Sequence, residues 1–207
     1  MRELTNEKIT IALIMVISLI APIQTMAESV TQTGTIIEPL EQNIEQIIDE
    51  ITSEPHPINS DAIQNVKEYI SEYFGNLGYD NIEYQKFEYN DENNENAIRH
   101  SSQADVFLAS TAENAIVDGI GENIIVTKNS SIDTTKNLII SAHYDSAEDS
   151  VGANDNGSGV AAVLELARIL KDTEMPYNIK FILFSGEEKY MLGSRWYVGK
   201  LTEDERK

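Results

Sequence analysis

The sequence predicts an α/β fold with a mixed, mostly parallel sheet flanked by helices. Three observations carry that expectation. Asn123–Val126, Asn137–Ala142 and Asn178–Phe184 are short, nearly unbroken apolar runs of the kind that form buried strands. Between the last two, Gly159–Leu170 sets Val160, Val163, Leu164, Ala167 and Leu170 on one helical stripe. A strand, a helix and a second strand joined by a crossover of that length pair in parallel.

Earlier elements follow from local pattern. Arg2 and Lys8 precede an apolar run from Ile9 to Ile20, and Thr25-Met26-Ala27 supplies small residues before Glu28. Residues 1–27 are therefore expected to be a secretory leader cut after Ala27. A retained N-terminal anchor is the alternative. Secretion is the localisation expected, with no stable membrane association once the leader is gone. Residues 28–37 are polar and Thr-rich and read as a linker. From Pro39-Leu40, the residues Leu40, Ile44, Ile47, Ile48 and Ile51 recur at helical spacing, and Pro55-His56-Pro57 ends that helix. Ser60 or Asp61 can cap a second helix, with Ile63, Val66, Ile70 and Phe74 on one face and Gly78 at its close. Ile82–Tyr89 alternates as a half-exposed strand. Asn90 to Gln103 is a polar loop, and a last helix is expected over Leu192–Leu201.

Composition narrows the chemistry. The chain has 207 residues, 41% of them apolar, enough for one domain with a real core. Thirty-five acidic residues against 15 basic ones give a net charge of −20. Such a balance argues against nucleic acid or an anionic membrane as partner. Cysteine is absent, so any metal must be held by His, Asp and Glu.

Those residue types gather where ligands bind in open α/β sheets, at the carboxyl ends of the strands. His143 directly follows one apolar run and begins His143-Tyr144-Asp145. Glu187-Glu188 follows the run that ends at Phe184-Ser185-Gly186. Asp155 sits in a Gly-rich loop, Gly152-Ala-Asn-Asp-Asn-Gly-Ser-Gly159, ahead of the crossover helix. Taken singly, each has an ordinary reading. His143 is a satisfied histidine, Asp155-Asn156-Gly157 a turn and cap, and Glu187-Glu188 an acidic helix start. Together they are one imidazole and several carboxylates on one rim, the donor set of a hard-to-borderline metal ion. Asp145 can accept the second ring N–H of His143. Of the two adjacent glutamates, one can bind metal while the other acts as general base.

Other chemistries fit less well. Ser158 with His143 and Asp145 lacks a nucleophile elbow. The Gly-rich loop has no following Lys to receive phosphate. His56, between two prolines, reads as a turn residue, and His100 is assigned no role.

These motifs resemble the M28 family of zinc peptidases, in the aminopeptidase group related to aminopeptidase Y and the bacterial leucine-type aminopeptidases. Asn137–Ser146 is similar to the family's first metal motif, Gly152–Arg168 to its bridging-aspartate motif, and Phe181–Glu188 with Leu192-Gly193-Ser194 to its catalytic motif. Pro55–Ser60 is similar to the segment leading into the family's second helix. The resemblance implies a zinc-exopeptidase-like domain over residues 38–207 and two zinc ions. It implies that His143 and Glu188 bind one zinc each, that Asp155 bridges both, that Glu187 is the general base and that Asp145 orients His143. The substrate implied is a peptide, and the activity that of a secreted zinc-dependent aminopeptidase.

Two departures from the family pattern stand out. The family's Gly-Leu after Glu-Glu is replaced within Lys189-Tyr190-Met191. The family also uses a later Asp and a final His, and no His follows His143. The domain is thus expected to be truncated at its C-terminus, and the chain alone to hold zinc poorly. A non-catalytic remnant or binding module, and a glutaminyl-cyclase-like acyltransferase, are the alternative functions.

Overall fold

Helix α1, Glu41–Ile51, forms where the isoleucine stripe begins, and it buries Ile47 and Ile51. Its first turn has no cap from its own neighbours. The Leu40 N–H donates instead to Glu165 Oε1 at 2.8 Å, and Asn43 Nδ2 to Glu165 Oε2 at 3.3 Å. A carboxylate 125 positions away thus satisfies an orphan donor at a helix N-terminus. Helix α2, Asp61–Asn76, has the local cap the sequence offers, with the Ile63 N–H donating to Ser60 Oγ at 3.1 Å. It buries Ile63, Val66, Ile70 and Phe74. Gly78 closes it with φ +85°, a conformation that costs glycine little.

This computed structural model describes residues 39–90, 118–203 and 205. The leader and linker expected over 1–37, most of the polar loop after Asn90, and His100 lie outside the described residues.

Four strands form one sheet in the order β1-β2-β4-β3. Strand β1 is Ile82–Tyr89, β2 Gly119–Lys128, β3 Asn137–His143 and β4 Asn178–Phe184. The sheet is mixed, as expected, but among the described residues it is mostly antiparallel, because only β3 and β4 are joined by a crossover helix. β3 and β4 run parallel through helix α3, Ser158–Leu170, while β1–β2 and β2–β4 are antiparallel. Strand β2 is longer than its apolar run, because β1 pairs with it as far as Gly119. Helix α4 is Leu192–Lys200.

Helices α1, α2 and α3 cover one face of the sheet. Ile47, Ile51, Ile70, Phe74, Val160 and Leu164 pack there with Ile124, Val126, Ile179, Phe181 and Leu183. Each such side chain contributes about 1.5–3 kcal/mol when fully buried. Phe74, Tyr79 and Phe181 meet with ring centroids 5.7–5.9 Å apart, tying α2 to β4. On the opposite face α4 lays Tyr197 against Ile125 and Ile182. Trp196 and Leu192 pack there against Ile58, Phe87 and Tyr89. Among the described residues no helix is long and apolar enough to cross a membrane.

The register fixes where the chemistry sits. His143 is level with Phe184, and the Tyr144 N–H donates to the Phe184 carbonyl at 2.9 Å. The carboxyl ends of β3 and β4 therefore open onto one rim.

Candidate metal centre

His143 is the last residue of β3 and is 8% exposed. Its Nδ1 lies 3.1 Å from the Asp145 carbonyl oxygen. A carbonyl only accepts, so this contact holds the proton on Nδ1 and leaves Nε2 facing the rim. There Nε2 is 3.0 Å from Asp155 Oδ1 and 3.8 Å from Glu187 Oε2. Burial opposes charge on the ring. The Asp145 carboxylate, Glu187 and the Asp145 carbonyl outweigh it and push the imidazole up to about 9.

Asp145 is 1% exposed. Its carboxylate was expected to orient His143, and it stands 3.6 Å from Nδ1. Its hydrogen bonds go elsewhere, with Oδ1 accepting from the Glu187 N–H at 3.1 Å and Oδ2 from the Glu188 N–H at 3.2 Å. A single carboxylate thereby faces the imidazole and grips the backbone that carries both glutamates.

Asp155 comes from the wide turn Ala153–Gly157 between β3 and α3. The Gly157 N–H donates to the Gly152 carbonyl at 2.8 Å across that turn, and the Gly159 N–H donates to Asn156 Oδ1 at 3.1 Å where α3 starts. Gly152 has φ +67°, and a Cβ there would stand 2.8 Å from the Asp155 carbonyl oxygen. The turn thus depends on glycine at 152 and leaves the Asp155 side chain 76% exposed over His143. Ser158 donates to the Asn154 carbonyl at 2.9 Å, a local helix-start bond rather than a triad contact.

Glu187 and Glu188 sit in the turn that leaves β4. Burial pushes the Glu188 carboxyl above its ordinary range, and the negative charge of Asp155 adds to that, while His143 opposes it. Negative charge is in excess at this rim, a deficit that a cation would relieve. Two ligands of one tetrahedral zinc stand about 3.3 Å apart, given bonds of about 2 Å. The 3.0 Å between Nε2 and Asp155 Oδ1 is within a small side-chain rotation of that spacing. Among the described residues no three such side chains are already gathered closely enough to hold an ion. The donors fit zinc in kind and charge, and His143 and Asp155 also in spacing.

Two supports of the rim were given no role in the site by the sequence. His56 is 3% exposed, and it exchanges two bonds with the residue after Asp145. Its N–H donates to Ser146 Oγ at 2.8 Å, and the Ser146 N–H donates to its carbonyl at 3.3 Å. Asn123, fully buried on β2, bonds to both stems of the Glu187–Glu188 turn. A polar residue opening a buried apolar strand was the signal for Asn123, since such a group must find partners.

Residues 123–207 match peptidase family M28. Aminopeptidase YwaD of Bacillus subtilis is 44% identical over 94 residues, covering 45% of this chain and 21% of its own length. A vacuolar membrane protease of Schizosaccharomyces japonicus is 32% identical over 151 residues, covering 73% of this chain and 16% of its own. The chain thus spans about a fifth or less of the length of these relatives. The solved structure of a zinc aminopeptidase from Bacillus subtilis superposes with a TM-score of 0.63 at 18% identity, covering 79% of this chain and 66% of that one. The likeness bears out the α/β fold. The expectation of secretion does not stand, because relatives aligned over 70% or more of this chain are vacuolar membrane proteases. An apolar run of twelve residues suits a cleaved leader and a retained anchor alike, so composition had no power to choose between export and membrane residence. The three motifs gathered on one rim all lie in the stretch, residues 123–207, that matches peptidase family M28.

Proposed function

We propose that this chain hydrolyses peptides from their N-terminus with the help of zinc. The observation that carries the reading is the meeting of His143 Nε2, Asp155 and Glu187 at the carboxyl ends of two parallel strands, within the stretch that matches family M28. His143, Asp155 and Glu188 would hold the metal, and Asp155, with two oxygens, would bridge two ions. Bound zinc would act as a Lewis acid toward the scissile carbonyl and would acidify water.

The chain's own residues supply the rest. Glu187, held by its backbone to Asp145, takes a proton from the attacking water. The C–O bond forms first by addition to the carbonyl, and the peptide C–N bond breaks once Glu187 has passed the proton to the departing amine nitrogen. The Asp145 carbonyl keeps the Nδ1 proton in place, so His143 presents Nε2 throughout.

The test is hydrolysis of leucine p-nitroanilide by the zinc-loaded chain and by Glu187→Gln. We expect the variant to keep its zinc and to lose activity by about 10²–10⁴-fold. Hydrolysis unchanged in the variant, or none from the zinc-loaded chain, would reject the assignment.

A further inference from the structure

We infer that Asn123 is a positioning residue for the Glu187–Glu188 turn, acting from beneath the site through both stems of that turn. The inference rests on the roles proposed above for the two glutamates. Strand β4 pairs with β2 up to Leu183, which faces Ile124. Just past that point β4 leaves the sheet and the turn begins. Asn123 stands there with 0% exposure. Its Oδ1 accepts the Ser185 N–H at 3.2 Å, and its Nδ2 donates to the Gly193 carbonyl at 2.9 Å. The same Nδ2 donates to Gln85 Oε1 at 3.0 Å, on the residue paired with it across β1–β2. One side-chain amide thus takes over where the backbone ladder stops, and it joins the residues on which the turn starts and ends.

The turn is also closed by its own backbone. Its closing bonds run from the Gly193 N–H to the Ser185 carbonyl, from Leu192 to Gly186, and from Met191 to Glu187, at 2.9–3.0 Å. Gly186, Tyr190 and Met191 all have positive φ, at 73°, 68° and 58°. Two of these are not glycine, so the backbone is strained and must be held by its surroundings. Asp145 grips the tip at the Glu187 and Glu188 amides, and Asn123 grips the base. Gly193 shows how tight the base is. A Cβ there would stand 2.2 Å from Asn123 Oδ1 and 2.5 Å from the Ser185 carbonyl oxygen.

The test reads amide hydrogen exchange in the metal-free full chain, so it does not depend on zinc or on turnover. Asn123→Ala is expected to speed exchange at Glu187, Glu188 and Gly193 by about tenfold or more, with Ile179–Leu183 of β4 protected as before. Gln85→Ala removes the third partner but neither stem bond, and is expected to leave those amides unchanged. A residue that merely stabilised the sheet would respond in both variants and along β4. Should Asn123→Ala fail to fold, Asn123→Ser, too short to reach both stems, is read at the same amides. Unchanged protection of the turn, or a loss spread equally through β4, would overturn the inference. Where zinc binds, Asn123→Ala is also expected to weaken it by about tenfold. Failure of zinc binding in the unsubstituted chain would count against the metal reading and leave the exchange result to stand by itself.

Discussion

At the scale of single residues, the rim is governed by how carboxylates are shared. Asp145 is nearly inaccessible, yet its carboxylate binds two backbone amides and faces a buried imidazole. Without a metal, His143 is the cation that this arrangement favours. Its folded value, about 9, lies above its ordinary 6.5. Stability from the charged ring is therefore fully present below about pH 6.5 and is lost as pH rises through about 9. Thermal melts of the chelator-treated chain should show that decline, and His143→Gln should flatten it. Equal declines in both proteins would rule this origin out. The sequence made His143, Asp155 and the two glutamates legible, because donor types at strand ends are a pattern in one dimension. It gave no sign that the Asp145 carboxylate would bind the Glu187 and Glu188 amides, because those bonds cross 42 and 43 positions.

At the scale of elements, periodicity was enough for α1, α2, β1 and β4, whose buried residues follow the stripes and alternation of the sequence. The turns that carry the chemistry were not legible. Tyr190 and Met191 take positive φ with no compositional cue, since neither is glycine or asparagine. His56 likewise reads locally as a turn residue between prolines, while its burial and its bonds to Ser146 are tertiary. The docking of α1 onto α3 is a further case. Glu165, 2% exposed, accepts from Arg168 Nη2 at 2.7 Å and from Leu40 and Asn43 of the α1 start. Arg168 holds its carboxyl below the ordinary 4.5 against the opposing effect of burial, with Leu40 and Asn43 assisting. Glu165→Ala should destabilise the fold by about 1–2 kcal/mol in urea unfolding at neutral pH, since it removes the partner of three part-buried donor groups. The contribution is present above pH 4.5 and lost as pH falls through the lower folded value. The gap between the two proteins should therefore narrow as the pH falls below 4.5. A gap that stays constant would show that the carboxylate charge is not its source.

At the scale of the whole molecule, β3, which ends at His143, lies at an edge of the sheet among the described residues. β3 pairs with β4 on one side, and it leaves Leu138 40% and Ile139 45% exposed. An open apolar edge of this kind invites pairing with another chain. The high negative charge opposes association but does not cover the strand. Sedimentation at increasing concentration should show self-association that Ile139→Lys suppresses, and an average mass independent of concentration in both would refute this use of the edge.

The central claim is that His143, Asp155 and Glu188 hold the metal while Glu187 stays free to move a proton. Calorimetric titration of zinc into the metal-free chain tests it most directly. The account predicts that zinc binds weakly but measurably, that His143→Ala, Asp155→Asn and Glu188→Gln each weaken binding further by about tenfold or more, and that Glu187→Gln changes it little. No zinc uptake by the unsubstituted chain, or uptake indifferent to all three substitutions, would contradict it.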